Sequence, residues 1–219
     1  MNRTIIDVPR IFMRQSVHDW RVDWRGQSAG DGVDGNGEQI VYNRLPRFVS
    51  ASVIEIPRDL RGHWRALMMR GEGRRHAYRM RMVDPVSYGM PGSGRLRDDV
   101  AAYLAGHHVE ARPRVPCVGA VSAGATSMVV DETGLASPIR VGAYMSHNDW
   151  PFVVVGRSGS GSAVTLTVKM VRRAIPDGAL IDVLARGIFL ASDDAMGLPA
   201  FSRGSFEVPL SLIEWIGRT

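Results

Sequence analysis

The chain has 219 residues, 45% of them apolar, with 27 basic and 22 acidic side chains for a net charge of +5. That length suits one sizeable β domain or a domain with an inserted lobe, and the apolar fraction excludes a mainly disordered chain. Cys117 is the only cysteine, which excludes an intrachain disulfide and argues against a Cys-based zinc site.

Lys169 is the only lysine, so the positive charge is almost all arginine, and the sequence pI sits near 10.0. The arginines are spread along the chain, whereas a phosphate-binding face clusters them, so no sequence-specific nucleic-acid reader is expected. No stretch approaches the roughly 20 apolar residues of a membrane helix. The apolar patch in MNRTIIDVPRIFMR is too short for a signal peptide, and the expectation is a soluble product made in a cytoplasm.

In chain order, Thr4 to Met13 reads as a strand broken by Pro9. Residues 26–37, GQSAGDGVDGNG, form a glycine-rich connector with a high ordering cost. Val22–Trp24 and Gln39–Tyr42 flank it, which predicts a long hairpin with this segment as its tip. FVSASVIEI at 48–56 alternates with apolar residues on both faces, the pattern of a central strand. A helix follows over about 58–71. Pro57 suits its start and Asp59 its dipole, while Leu60, Trp64, Leu67 and Met68 share one face. Gly71 and Gly73 are expected to end it. His76–Val83 is the next strand, with Ala77, Arg79 and Arg81 opposite Tyr78, Met80 and Met82.

Residues 84–120 are the least regular, an expected loop or small lobe with a short helix near Val100, Tyr103 and Leu104. From Asp131 to Leu184 short strands alternate with turns, beginning just after the Ser127–Val130 strand. Val141–Ser146 and Phe152–Arg157 form a hairpin around His147–Asp149. Val164, Leu166, Val168 and Met170 alternate with Thr165, Thr167 and Lys169, the mark of a half-buried strand. Pro176-Asp177-Gly178 is a turn in which proline sets φ and glycine accepts φ > 0. Ala179–Leu184, Gly187–Ala191 and the terminal FEVPLSLIEWI complete the strands, with Pro209 implying an edge or bulge. The whole reads as mainly β: a sandwich or barrel-like core, in a single domain over 1–219, with one amphipathic helix packed against it.

No intact reactive motif emerges. Ser122 in GAVSAGA has Ala120 where a nucleophile elbow needs glycine, and reads as a small-residue turn. GRSGSG at 156–161 lacks phosphate-loop spacing. Asp31, Asp34, Asn36 and Glu38 do not match a calcium loop. His107 and His108 diverge on any regular backbone, and His63, His76 and His147 lack a partner at helical spacing. Asp193 and Asp194 read as a turn or cap. Neither a metal nor a cofactor is expected. The remaining candidates are basic: Arg79 and Arg81 share a strand face, and Arg172-Arg173 lie near the last turn. They can meet phosphate or an acidic neighbour, with a solvated face or a subunit contact as the plainer reading.

Three segments together carry a resemblance. DLRGHWRALMMRGEGRRHAYRMRMVDP at 59–85 is a Trp-Arg-Ala helix, a glycine- and arginine-rich link and a strand ending in Asp-Pro. VGAYMSHNDWPFVVVGRSGSGSAVTLTVKMVRRAIPDGALIDVL at 141–184 runs from a Gly-x-Tyr strand through a hairpin to a Pro-Asp-Gly turn. GIFLASDDAMGLP at 187–199 is the closing segment. In this order they resemble the distal tail and minor tail proteins of long-tailed bacteriophages, over roughly 50–84 and 119–198. The resemblance implies a non-enzymatic virion protein that forms an oligomeric ring, commonly six-fold, at the tail tip. Its implied partners are the tail tube, tape measure and tail hub or baseplate proteins. The alternative is a basic β-barrel that binds nucleic acid, which would need aromatic side chains interleaved with arginine on one strand face.

Overall fold

The computed structural model describes residues 3–13, 16–17, 19–31, 37–42, 44–83, 86, 96–107, 112–197, 200–201 and 206–218. The chain opens with β1 (Ile5–Asp7), a 3-10 turn at Arg10–Met13, β2 (Ser16–Val17) and β3 (Trp20–Asp23). A two-stranded arm follows, β4 (Gln27–Asp31) against β5 (Glu38–Val41), and then the long strand β6 (Arg47–Glu55). A 3-10 turn at Arg58–Leu60 leads into α1 (Arg61–Gly71), β7 (Ala77–Arg81) and α2 (Leu96–Leu104). Next come β8 (Arg114–Val118), β9 (Ser127–Val130), β10 (Tyr144–His147), β11 (Trp150–Ser158), β12 (Val164–Lys169) and β13 (Leu180–Asp182). The chain closes with β14 (Arg186–Ala191), β15 (Ala200–Phe201) and β16 (Phe206–Glu214).

These strands build two bodies, and the fold is mainly β. An eight-stranded sheet runs β1-β7-β14-β16-β6-β2, with β3 also on β6 and β15 on β16. Strands β8 to β13 close into a barrel in the order β10-β11-β12-β9-β8-β13. Because β7 and β14 are paired, with Arg81 opposite Arg186, the entire barrel is an insertion between two neighbouring strands of the sheet. Each body has its own apolar core. The expected loop or lobe at 84–120 is therefore bounded differently: Leu96–Leu104 is helical and Arg114–Val118 is a barrel strand. Most of the rest of that segment lies outside the described residues.

Strand alternation explains both cores. In β6, Phe48, Ser50, Ser52 and Ile54 are buried, whereas Ala51, Val53 and Glu55 face water. β6 is central by pairing, as its pattern predicts, yet only one of its faces is covered. In β12, Val164, Leu166 and Val168 fill the barrel interior beside Phe152, Met145 and Ile181. Burying each of these large side chains contributes ~1.5–3 kcal/mol. The hairpin from β10 to β11 turns through Asn148 and Asp149, both at positive φ, the conformation that matches strand twist in a tight hairpin. Pro209 sits within β16 where β14, which pairs only through residues 212–214, no longer flanks it.

Helix α1 packs on the sheet through Trp64, Leu67 and Met68, and the Trp64 indole donates to the Gly197 carbonyl at 3.0 Å. The helix includes Gly71, and the left-handed residue that ends it is Glu72. Gly71 is needed for a different reason from the expected stop signal. The Tyr78 ring lies directly against it, where a Cβ would overlap the phenol.

Candidate functional site

The four arginines singled out in the sequence do not form one basic face. Three of them end in ion pairs where the sheet meets the barrel. On β7, period-two spacing puts Arg79 and Arg81 on the same side, the side from which the inserted barrel presents acids. Arg79 donates to the Asp149 carboxylate at 2.8 Å and to Asp7 at 3.0 Å. Arg81 is buried, donates to the Leu184 carbonyl at 3.1 Å and lies 3.8 Å from Asp182. Of the readings open for this pair (phosphate, an acidic neighbour, a solvated face or a subunit contact), the acidic neighbour is the one seen. Tyr78, the aromatic that could have served as a stacking platform, is buried.

Asp149 is a hub. Besides Arg79, its carboxylate accepts a hydrogen bond from Arg186, and its backbone carbonyl accepts one from Arg218. Arg218 also donates to the Ile188 and Trp215 carbonyls, and its guanidinium lies 3.8 Å from the Trp150 ring centroid. Burial lowers the Arg218 pKa to about 10, offset in part by Glu214 and Asp149, so the group remains charged at neutral pH. Asp182 draws in Arg114 at 3.0 Å and Arg112 at 3.9 Å as well as Arg81.

The third staple joins Arg172, just past β12, to the fully buried Glu214 of β16 at 2.8 Å. Arg172 also donates to the Pro46 carbonyl, and the Phe48 amide donates to Glu214. Burial pushes the Glu214 carboxyl up, against the pull of Arg172 and the Phe48 amide. Arg173 differs from the other three. It is exposed, donates to the Arg218 carbonyl at 3.1 Å and lies over the Trp150 ring, and no described carboxylate pairs with it.

Asp149, Asp182, Glu214 and Arg218 have no signature in the sequence. Their ion-pair partners stand tens of residues away, and nothing local announces them. The other sequence candidates fall to ordinary roles. The Ser122 carbonyl accepts from the Ala125 amide in a turn. Asp194 pairs with Arg74, which holds its carboxyl below the usual range. His147 approaches the Leu180 carbonyl, and His63 packs edge-on to Tyr103. Among the described residues no group of three His, Cys, Asp or Glu side chains could hold a metal ion. Of the four residues weighed against a calcium loop, Asp34 and Asn36 lie outside the described residues, as does His108. Among the described residues no helix is long and apolar enough to cross a membrane.

Among the described residues, the arm and its base carry a run of exposed apolar side chains. Ile40 is 52% exposed, Tyr42 66% and Leu45 67%, and Trp24 and Val41 are exposed too. The Lys169 ammonium lies 5.7 Å from the Trp24 ring centroid. Beside the arm's base, a groove of about 600 Å³ runs between sheet and barrel, lined by Leu45, Pro46, Ala123, Trp150, Met170 and Ile216. Arg172 and Arg173 also line it. No protein-family model matches the chain, and no curated protein is significantly similar to it.

Proposed function

We propose that this chain is a structural subunit of a bacteriophage tail tip, closing into a ring that joins the tail tube to the tail hub or baseplate proteins. The observation that carries the reading is the arm. An isolated two-stranded hairpin is marginal in water, and here Ile40, Val41 and Tyr42 stay 52%, 45% and 66% exposed. A neighbouring subunit is the natural cover. A contact between an arm and a different surface of the next copy is heterologous, and repeated heterologous contacts close into rings. The order of the Trp64 helix, the Tyr144 hairpin and the Pro176-Asp177-Gly178 turn supports the family, and the inserted barrel supplies a second surface for further tail proteins.

This reading assigns the chain no catalysis and no cofactor. Its arginines act as structural staples, consistent with a rigid building block. The test is negative-stain imaging of the purified protein, combined with a DNA gel-shift series over salt. Closed rings that do not retard DNA are expected. A monomer that retards DNA in a salt-sensitive way would overturn the proposal in favour of a nucleic-acid-binding barrel.

A further inference from the structure

We infer that the groove between sheet and barrel is the receptor for the arm of a second copy of this chain, a specific contact that rests on the ring reading above. Two properties of the arm and groove match. The first is charge. Between Gly26 and Tyr42 there are three carboxylates, Asp31, Asp34 and Glu38, and neither lysine nor arginine. The arm therefore contributes −3 to a chain of net +5, and the rest of the chain carries +8. Two of these acids, Asp31 and Glu38, stand opposite each other in the β4–β5 register. The groove is lined by Arg172 and Arg173, and Arg173 is an exposed cation with no described carboxylate against it. An acidic hairpin and an arginine-lined groove attract one another at long range, and their match fixes register on contact.

The second property is polarity. The groove wall is built of Leu45, Pro46, Ala123, Met170, Ile216 and the Trp150 indole. The arm offers Ile40, Val41 and Tyr42 in return. These side chains stay exposed in the single chain, so the arm does not occupy its own groove. The contact is made in trans, each copy donating an arm and receiving one. Trp150 is held ready for it, with its ring flanked by the Arg173 and Arg218 guanidinium groups at 4.9 and 3.8 Å.

Site-directed cross-linking tests the contact. Val41→Cys in a tagged chain is mixed with Ala123→Cys in an untagged chain and treated with a short bifunctional maleimide. The native Cys117 is buried, and burial raises its pKa, so it stays unreactive. A cross-linked dimer of one tagged and one untagged chain is expected, and the double variant in one chain should give a ladder of multimers. Alongside it, Ala123→Glu is expected to weaken self-association at least tenfold more than Ala123→Arg, which adds comparable bulk with the opposite charge. Rings that form with no mixed cross-link would overturn the groove as receptor while leaving the ring reading standing. Equal effects of the Glu and Arg substitutions would overturn its electrostatic basis. A mixed cross-link without closed rings would sustain the contact and count against the ring.

Discussion

Arg79 on the sheet and Asp149 on the barrel, 70 residues apart in sequence, meet at 2.8 Å and fasten the inserted barrel to the strand that it follows. Asp149 simultaneously holds Arg186, on the strand to which the chain returns. One carboxylate thus closes the two ends of the insertion. Asp149→Ala should leave both guanidiniums without this acid. Removing one partner of a buried pair costs roughly 3–5 kcal/mol. Arg79 and Arg186 keep 27% and 24% exposure, so screening reduces the expected loss to about 2 kcal/mol. Urea unfolding measures it, and a loss under about 0.5 kcal/mol, the range of ordinary surface substitutions, would remove Asp149 from the role of hub.

Glu214 gives the fold a pH signature. Burial raises its folded-state pKa above the ordinary 4.5, so the folded chain binds this proton more tightly than the unfolded chain. Stability contributed by that proton is present at low pH and is lost as pH rises from about 4.5 through the folded value. In Glu214→Gln this contribution disappears. The difference in unfolding free energy between wild type and variant should therefore slope against the wild type as pH rises in that window. A difference that stays flat across it would contradict the buried carboxyl's assigned shift.

Two glycines of the same helix should respond in opposite directions. Gly71→Ala drives a methyl into the buried Tyr78 phenol, and overpacking of this kind costs ~1–3 kcal/mol. Gly62→Ala meets nothing within 4 Å and gains up to ~0.5 kcal/mol from helix propensity and lower unfolded-state entropy. Thermal melts of the two variants, shifted down and up respectively, are the expected pair.

Trp64 ties the helix to the segment before β15 through its indole hydrogen bond to Gly197. Trp64→Phe keeps most of the ring volume and should cost about 1–3 kcal/mol, chiefly by leaving that carbonyl without its donor. Amide exchange at Gly197 and its neighbours should speed up in the variant. Unchanged exchange there would show that the indole bond does not hold the segment.

What the sequence made legible was local. The alternation of Val164, Leu166 and Val168, the apolar stripe from Leu60 to Met68 and the Pro176-Asp177-Gly178 turn each express a short-range period or a backbone preference, and each is present. The arm was legible only in part: the pattern predicts Val22–Trp24 as its first strand and 26–37 as its tip, whereas the first strand is Gln27–Asp31, inside that run, and β3 pairs with β6. Barrel closure was not legible, because it depends on β13 finding both β10 and β8 across long stretches of chain. The insertion itself was not legible either, since β7 and β14 pair across everything between Arg81 and Arg186. The arginines looked like a surface property until their acids were placed, and Arg172 with Glu214 is the clearest case: 42 residues separate the half-buried guanidinium from the buried carboxylate it pairs with.

The central claim is that the exposed arm exists to join one copy to the next, and the mass of the protein in solution tests it most directly. Sedimentation velocity on the wild-type chain and on Tyr42→Asp, which places a charge on an exposed site without touching either core, separates assembly from folding. The account predicts a discrete species of several times 24.0 kDa for the wild type and a folded 24.0 kDa monomer for the variant. A wild-type protein that remains monomeric at every accessible concentration, or a variant that assembles as the wild type does, would contradict it.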